Sequence, residues 1–446
     1  MEIKQFYDEN LSQASYAILS GNEIALIDPA RNPKQYYDFA KEANAKITAV
    51  IETHPHADFV SSHLEISKTT GSEIFCSQLL NPLYKYIPFD DGNELKLGEI
   101  FLVSMNTPGH SPDSISILIR DENGKDNALA TGDTLFVGDV GRPDLRESAG
   151  AINKSKEELA RMMFRTIREK LIKLPDDVIV YPGHGAGSIC GKATSKDTFT
   201  TIGREKRENY ALQPMSEDAF VNELLIGQSY IPKYFGYDVD LNRKGAPDFE
   251  ESVSKVKRLN SYNELDSSYL IIDARSEAEF TNGHVKGAIN LREDLKFETW
   301  LGTIASPNEN FYLVADSGDS IERLIRRAAK IGYELIMKGA VVHKDISHLQ
   351  KSEFLDIEAF KANKEKYTIV DVRNNSEVEK KKIFKDSISI PLNEIRERYN
   401  EIPLSKPVVV HCAAGYRSAA AASFLENKLD TKVYDLGEAI KSFSEN

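Results

Sequence analysis

Two groups of residues in this chain have types and spacing suited to chemistry. The first is the run Val408-Val409-Val410-His411-Cys412-Ala413-Ala414-Gly415-Tyr416-Arg417-Ser418. A strand rich in β-branched residues ends on a thiol, a loop of small residues follows, and an alanine-rich helix begins. Backbone N–H groups of such a loop converge on the sulfur, and the helix start adds partial positive charge. Arg417 adds a full one. These surroundings favour a nucleophilic thiolate at Cys412, whereas a core cysteine would have apolar neighbours in place of Gly-Tyr-Arg. Ala413, Ala414, Gly415 and Tyr416 then form the cradle for whatever the sulfur takes.

The second group begins with Thr53-His54-Pro55-His56-Ala57-Asp58-Phe59-Val60-Ser61-Ser62-His63, directly after an apolar strand. Thr107-Pro108-Gly109-His110, Thr131-Gly132-Asp133-Thr134 and Tyr181-Pro182-Gly183-His184-Gly185 follow. In each case the residue able to bind a metal opens a loop after a strand, where side chains from different strands can converge on one ion. A lone His or Asp in a loop is usually only solvated; this ordered series is not.

The elements that must position these residues are short and alternate. Ala14 to Leu19, Glu23 to Asp28, Ala49 to Ile51, Ile74-Phe75, Ile100 to Val103, Ser114 to Ile119 and Val178 to Tyr181 read as strands, and 33–44 as an amphipathic helix. The mixture implies an α/β sandwich over the first half. The polar stretch around Asp238 to Pro247, with Gly-Ala-Pro, reads as a linker. Beyond it one plan occurs twice. Tyr269 to Arg275 matches Tyr367 to Arg373, each an apolar strand ending in Asp-x-Arg, and Phe311 to Ala315 matches Pro407 to His411. Each second strand leads to a helix with an apolar face: Ile321, Leu324, Ile325 and Ala328 in one, Ala419, Ala422, Phe424 and Leu425 in the other.

At 446 residues the chain exceeds one core, and two to four domains are expected. A net charge of −13 without a basic tract argues against nucleic acid or an anionic membrane as partner. The N-terminus has no apolar leader and no run is long enough to span a bilayer. Three widely spaced cysteines, Cys76, Cys190 and Cys412, suit a reducing cytoplasm.

Roughly residues 1–235 resemble the metallo-β-lactamase superfamily, whose signature is His-x-His-x-Asp-His with a later His, Asp and His. The His expected after Asp58 is Phe59. In the two-metal thioesterase-like members that His helps hold the second ion, so one metal per chain is expected here. Among one-metal members the sequence looks most like the persulfide dioxygenases, which use ferrous iron. The resemblance implies His54, His110 and Asp133 as ligands, a two-histidine, one-carboxylate set suited to Fe(II) and O₂. It leaves His56, Asp58 and His184 around them, with His56 as a ligand the alternative. Arg207, in Thr200 to Asn209, is the candidate to meet a thiol substrate's carboxylate, or else part of a solvated charge cluster. Cys190 is a candidate to accept or relay sulfur near the mouth of the site. His63 has no place in the motif and is expected at the surface or capping a helix; Cys76 is expected in the core.

The repeated unit resembles the rhodanese domain, which carries sulfane sulfur as a cysteine persulfide. Only four residues lie between Cys412 and Arg417, where the related phosphatases have Cys-x₅-Arg, so phosphatase chemistry is disfavoured. In the first copy Asp316 stands where the cysteine would be, which makes that copy a spacer or docking surface. The expected architecture is an N-terminal αββα sandwich (1–238), a linker (239–253), an inactive rhodanese-like domain (254–350) and an active one (351–446). The resemblance implies an enzyme that oxidises a low-molecular-weight thiol persulfide with O₂ to sulfite. Cys412 and Arg417 would then pass persulfide sulfur to sulfite, giving thiosulfate in a cytoplasmic sulfide-detoxifying protein that forms a homo-oligomer. A zinc thioester hydrolase of the glyoxalase II type, an idle first domain beside a working sulfurtransferase, and a non-catalytic persulfide carrier or sensor are the alternatives.

Overall fold

The computed structural model describes residues 1–146, 154–192, 194–344 and 349–444. The chain divides into two compact units, Met1–Ser252 with Ala329–Gly332, and Val253–Ala328 with Tyr333–Asn446.

In the first unit β1 (Glu2–Asp8), β2 (Gln13–Ser20), β3 (Glu23–Ile27), β4 (Lys46–Ile51), β5 (Glu73–Cys76) and β6 (Ile87–Pro88) lie side by side in chain order. The second sheet holds β7 (Glu94–Leu97), β8 (Ile100–Asn106), β9 (Ile115–Arg120), β10 (Asp126–Gly132), β11 (Ile179–Pro182) and β12 (Thr200–Thr201), also in chain order. Alternate residues of both sheets face each other: Ile18, Ala25, Ile27 and Ile51 from one meet Leu102, Ile117, Ile119 and Ala130 from the other. Helices Lys34–Glu42 and His63–Thr70 cover one outer face through Tyr36, Phe39 and Ile66. Lys156–Glu169 and Glu217–Leu225 cover the other through Met163, Ile167, Phe220 and Leu224. The result is the α/β sandwich expected from the alternation of short strands and helices, in the αββα order that the family resemblance implies.

The stretch 239–253 is not an extended linker. It folds into helices Phe235–Lys244 and Phe249–Lys255. The buried side of the first helix alternates apolar Phe235 and Val239 with polar Asp238 and Asn242, so its apolar stripe is only half formed in the sequence. Asn242 supplies the reason for its position: its amide donates to His56 O (2.9 Å) and Phe59 O (2.8 Å) and accepts from Ser61 N (2.8 Å).

The second unit contains two parallel sheets. One is β13 (Arg258–Leu259), β14 (Leu270–Asp273), β15 (Ile289–Asn290), β16 (Phe311–Ala315) and β17 (Met337–Val342), in the order β13-β17-β16-β14-β15. The other is β18 (Thr368–Asp371), β19 (Ile388–Ser389), β20 (Val408–His411) and β21 (Val433–Asp435), in the order β19-β18-β20-β21. The helix after β20, Tyr416–Glu426, is buried on all sides from Ser418 to Leu425 rather than along one face. Its alanines allow close approach on both sides, and Ser423 Oγ accepts the Asn290 N–H of the first rhodanese-like module at 2.9 Å. Among the described residues no helix is long and apolar enough to cross a membrane.

Candidate metal centre and sulfur site

His54, His110, Asp133 and His184 each follow the end of a strand: β4, β8, β10 and β11. These ends meet at one edge of the sandwich, and all four side chains are buried. Each imidazole has its Nδ1 committed to the protein. The Thr53 hydroxyl donates to Asp28 Oδ2 (2.7 Å), so toward His54 Nδ1 (3.0 Å) it can only accept. His110 Nδ1 donates to Arg142 O (2.9 Å) and His184 Nδ1 to Ser12 O (3.1 Å). All three tautomers therefore direct an Nε2 lone pair at the same place, as metal-binding histidines do. His54 Nε2 and His110 Nε2 stand 3.9 and 3.7 Å from Asp133 Oδ2. His184 Nε2 lies 3.5 Å from Asp133 Oδ1 and 3.3 Å from Asp58 Oδ2.

Asp133 Oδ1 and His184 Nε2 are buried without a hydrogen-bond partner among the described residues. A buried polar atom left in this way costs about 1–3 kcal/mol unless something satisfies it. Burial opposes a charge on His184, yet Asp133 and Asp58 raise its proton affinity well above the ordinary range. A pocket that draws a proton so strongly is one that suits a cation. The donor set thus fits a metal ion, with His54, His110 and Asp133 as one group of donors within 4.8 Å of each other.

Asp133 reaches this position through Gly132, whose backbone has φ +48° and whose added Cβ would fall 2.4 Å from Thr53 Oγ1. Only glycine allows β10 to pass that close to the residue that orients His54. His56 points elsewhere: Nε2 is 3.1 Å from Asp28 Oδ1 and 3.9 Å from Glu52 Oε2, and its ring lies against Phe59 with centroids 4.2 Å apart. Burial would depress His56, but Asp28 and Glu52 outweigh it and bring it up to about 9. Phe59 therefore packs on His56 where the family motif has another donor.

Cys190 occupies a place not expected from the sequence. It is buried with Asp58 and His184 in a second group of donor atoms within 4.8 Å of one another. Burial, then Asp58 and Asp133, push its thiol up to about 12. Arg142 links the two groups through its backbone, accepting from His110 and donating to Cys190 O at 2.9 Å. The single-metal expectation rests on Phe59 removing a ligand, and Cys190 supplies a donor beside Asp58 that the motif does not include.

His63 differs from expectation, and Arg207 falls on one of its two alternatives. His63 is fully buried at the start of helix His63–Thr70, with Nδ1 3.7 Å from Glu52 Oε1 and its ring 4.7 Å from Tyr84. Burial, with His56 and Arg31 nearby, holds it near 3, which makes it a neutral core residue rather than a surface or capping one. Arg207 is exposed in the last turn of helix Ile202–Glu208, while Glu205 of that helix faces inward and accepts from Gly138 N and Asn209 Nδ2. This orientation matches the solvated charge cluster better than a substrate contact. Cys76 is in the core.

In the second unit Cys412 is 1% exposed. The Gly415 N–H donates to Sγ at 3.1 Å, and Sγ lies 3.6 Å from Ser418 Oγ. Gly415 has φ +96°, the left-handed turn that points its N–H back at the sulfur. Ala413 and Ala414 are exposed at the loop tip. Tyr416 turns away to donate to Arg292 O of the preceding module (3.1 Å). Arg417 does not present a bare charge to the thiol: it forms a two-pronged pair with Glu377 (2.5 and 2.9 Å) and lies over the Trp300 ring at 5.9 Å. The loop N–H and the helix start are what surround the sulfur.

With this geometry in place, the comparisons with known proteins agree. Residues 9–184 match the metallo-β-lactamase superfamily, and 254–344 and 356–446 each match the rhodanese-like domain. A crystal structure of a metallo-β-lactamase from Staphylococcus aureus subsp. aureus COL is 32% identical with a TM-score of 0.70, covering 77% of this chain and 99% of that one. The chain belongs to the metallo-β-lactamase superfamily, and two rhodanese-like domains follow its sandwich. The mitochondrial persulfide dioxygenase ETHE1 of Homo sapiens is 25% identical, over 47% of this chain and 74% of its own length. The hydroxyacylglutathione hydrolase GloC of Haemophilus influenzae is 27% identical, over 43% of this chain and 88% of its own.

Proposed function

We propose that the chain oxidises a low-molecular-weight thiol persulfide to sulfite at a single ferrous ion held by His54, His110 and Asp133, and that Cys412 carries persulfide sulfur to sulfite. The observation that carries this reading is the pairing, in one chain, of a two-histidine, one-carboxylate donor set with a thiol cradled for sulfur. The likeness to the human persulfide dioxygenase supports it. Ferrous iron in such a set would supply O₂ activation and a seat for the substrate's outer sulfur. Thr53 and the Arg142 carbonyl hold the two imidazoles in the required tautomer, and the buried walls exclude bulk water. The overall change, RSSH + O₂ + H₂O → RSH + SO₃²⁻ + 2H⁺, leaves sulfite as the acceptor for the second step. There RSSH and the Cys412 thiolate give RSH and a cysteine persulfide. Sulfite attacks its outer sulfur, the S–S bond breaks, and thiosulfate leaves as the Gly415 N–H receives the thiolate.

Cys190 favours a second reading. With Asp58, His184 and a shared Asp133 it would complete a two-metal hydrolase in place of the imidazole lost at Phe59, in line with the hydroxyacylglutathione hydrolase relative. Metal analysis with O₂ uptake separates the two. Iron-loaded protein given glutathione or coenzyme A persulfide should consume O₂ and release sulfite, and His110→Ala should lose both iron and uptake. Two bound zinc ions with thioester hydrolysis and no O₂ uptake would establish the second reading and sink the first.

A further inference from the structure

The segment Ala329–Gly332 lies in sequence that matches the rhodanese-like domain, residues 254–344, yet packs as part of the first compact unit. It is the turn after helix Gly318–Ala329, with Ala329 and Ile331 buried and the Tyr237 hydroxyl donating to Gly332 O at 3.3 Å. Lys330 is its one charged residue, and it reaches in two directions. Its carbonyl accepts the Val60 N–H at 2.7 Å. Val60 is fully buried two residues beyond Asp58, so this bond holds the loop that carries Asp58. The Lys330 ammonium meets Asp8 Oδ2 at 2.6 Å and donates to Asn10 Oδ1 at 3.0 Å, in the turn between β1 and β2. Asp8 Oδ1 accepts from Asn10 N (3.0 Å) and Leu11 N (3.3 Å), so the lysine completes the contacts of the carboxylate that folds this turn. The turn ends on Ser12, whose φ of +53° is a conformation that serine keeps only where its surroundings hold it. In that conformation Ser12 O accepts from His184 Nδ1 (3.1 Å) and Gly185 N (3.0 Å). Asp58 and His184 are the pair that meets at 3.3 Å beside Asp133. One lysine thus touches both of the loops that bring this pair together.

We propose that Lys330 is a positioning residue of the metal centre: it sets the Asp58 loop and the Ser12 turn against each other and so fixes His184 beside Asp133. A partly exposed ion pair by itself contributes little to stability. Its effect here is geometric, because the carbonyl and the ammonium of a single residue join the two loops. His184 Nε2 stands 3.5 Å from Asp133 Oδ1, and metal affinity depends on the groups that orient a ligand from outside as well as on the ligand. In the chain Asp316 precedes helix Gly318–Ala329 and Lys330 follows it. A module whose sequence lacks the sulfur-carrying cysteine therefore still gives the metal centre a part.

The inference rests on the strand ends binding a metal, and on neither choice of reaction. The test uses the full chain loaded with Co(II), whose visible absorption reports the geometry of its ligands. Release of the cobalt to excess EDTA is followed by the same absorption. Lys330→Met and Asp8→Asn should each change the bound-cobalt spectrum and speed release about tenfold, the low end of what losing a ligand's outer partner costs. Lys330→Arg, which keeps a cation within reach of Asp8, should restore both. Lys125→Met removes the ion pair with Asp177 (2.6 Å) at the opposite end of β10 from Asp133 and should change neither. A wild-type spectrum and release rate in either Lys330→Met or Asp8→Asn overturns the proposal and leaves the metal reading intact. So does faster release with an unchanged spectrum, the mark of a merely looser fold. Failure of Lys330→Arg to restore, or an equal change in Lys125→Met, overturns it as well. Wild-type protein that takes up no Co(II) overturns the metal centre and the proposal with it. Asp8→Asn breaks the clasp from β1, so the test stands even where Lys330→Met fails to fold.

Discussion

The two rhodanese-like modules share a frame and differ where chemistry would occur. In the first, Arg275 clamps Asp273 (2.6 Å) and donates to Gly283 O; in the second, Arg373 clamps Asp371 (2.6 Å) and donates to Lys381 O. Both pairs are buried, and both fasten the end of a central strand to the turn after the following helix. Between β16 and the helix Gly318–Ala329, however, the first module has only Asp316 and Ser317, whereas between β20 and Tyr416–Glu426 the second has Cys412 to Gly415. The first module therefore lacks the sulfur and also the cradle whose N–H would hold it. Asp316 is exposed and held below the usual carboxylate range chiefly by Ser320. The buried clamp is a matter of folding and is common to both modules; the loop is a matter of chemistry and is not.

The comparison would break most sharply at the sulfur itself. Cys412→Ser should abolish persulfide labelling and shift the product from thiosulfate to sulfite while O₂ uptake is kept; unchanged thiosulfate output removes Cys412 from the pathway. Next in size, Asp273→Asn and Asp371→Asn each strand a buried guanidinium and should cost about 3–5 kcal/mol in urea unfolding. Similar losses in both would confirm a shared structural role, and a loss in only one would end the parallel. Trp300→Ala removes the ring under Arg417, worth about 0.5–1 kcal/mol, and should change Cys412 labelling by only a few-fold. Asp316→Cys should have the smallest effect of all: with the loop too short to cradle sulfur, no persulfide should be detected there by mass spectrometry.

The metal site was legible because each donor follows an apolar strand, and strand ends at one edge of a sandwich converge. The duplicated Asp-x-Arg ending was equally plain. Cys190 was not, since nothing in a loop after His184 marks which way a side chain faces. Nearness in sequence points Arg417 at the thiol, whereas Glu377, far off in the chain, holds it. Helix Phe235–Lys244 has a buried face that is half polar, Asp238 and Asn242 beside Phe235 and Val239, and such a face leaves little periodicity in the sequence.

That helix has a practical consequence for dissecting the protein. Asn242 holds three backbone groups of the 56–61 loop, which hangs directly from the strand that delivers His54. A metal domain excised at residue 238, where composition suggests a cut, would leave its own ligand loop untethered. Fragments carried through Ser252 retain the tether, and metal affinity should distinguish the two lengths even where both remain folded.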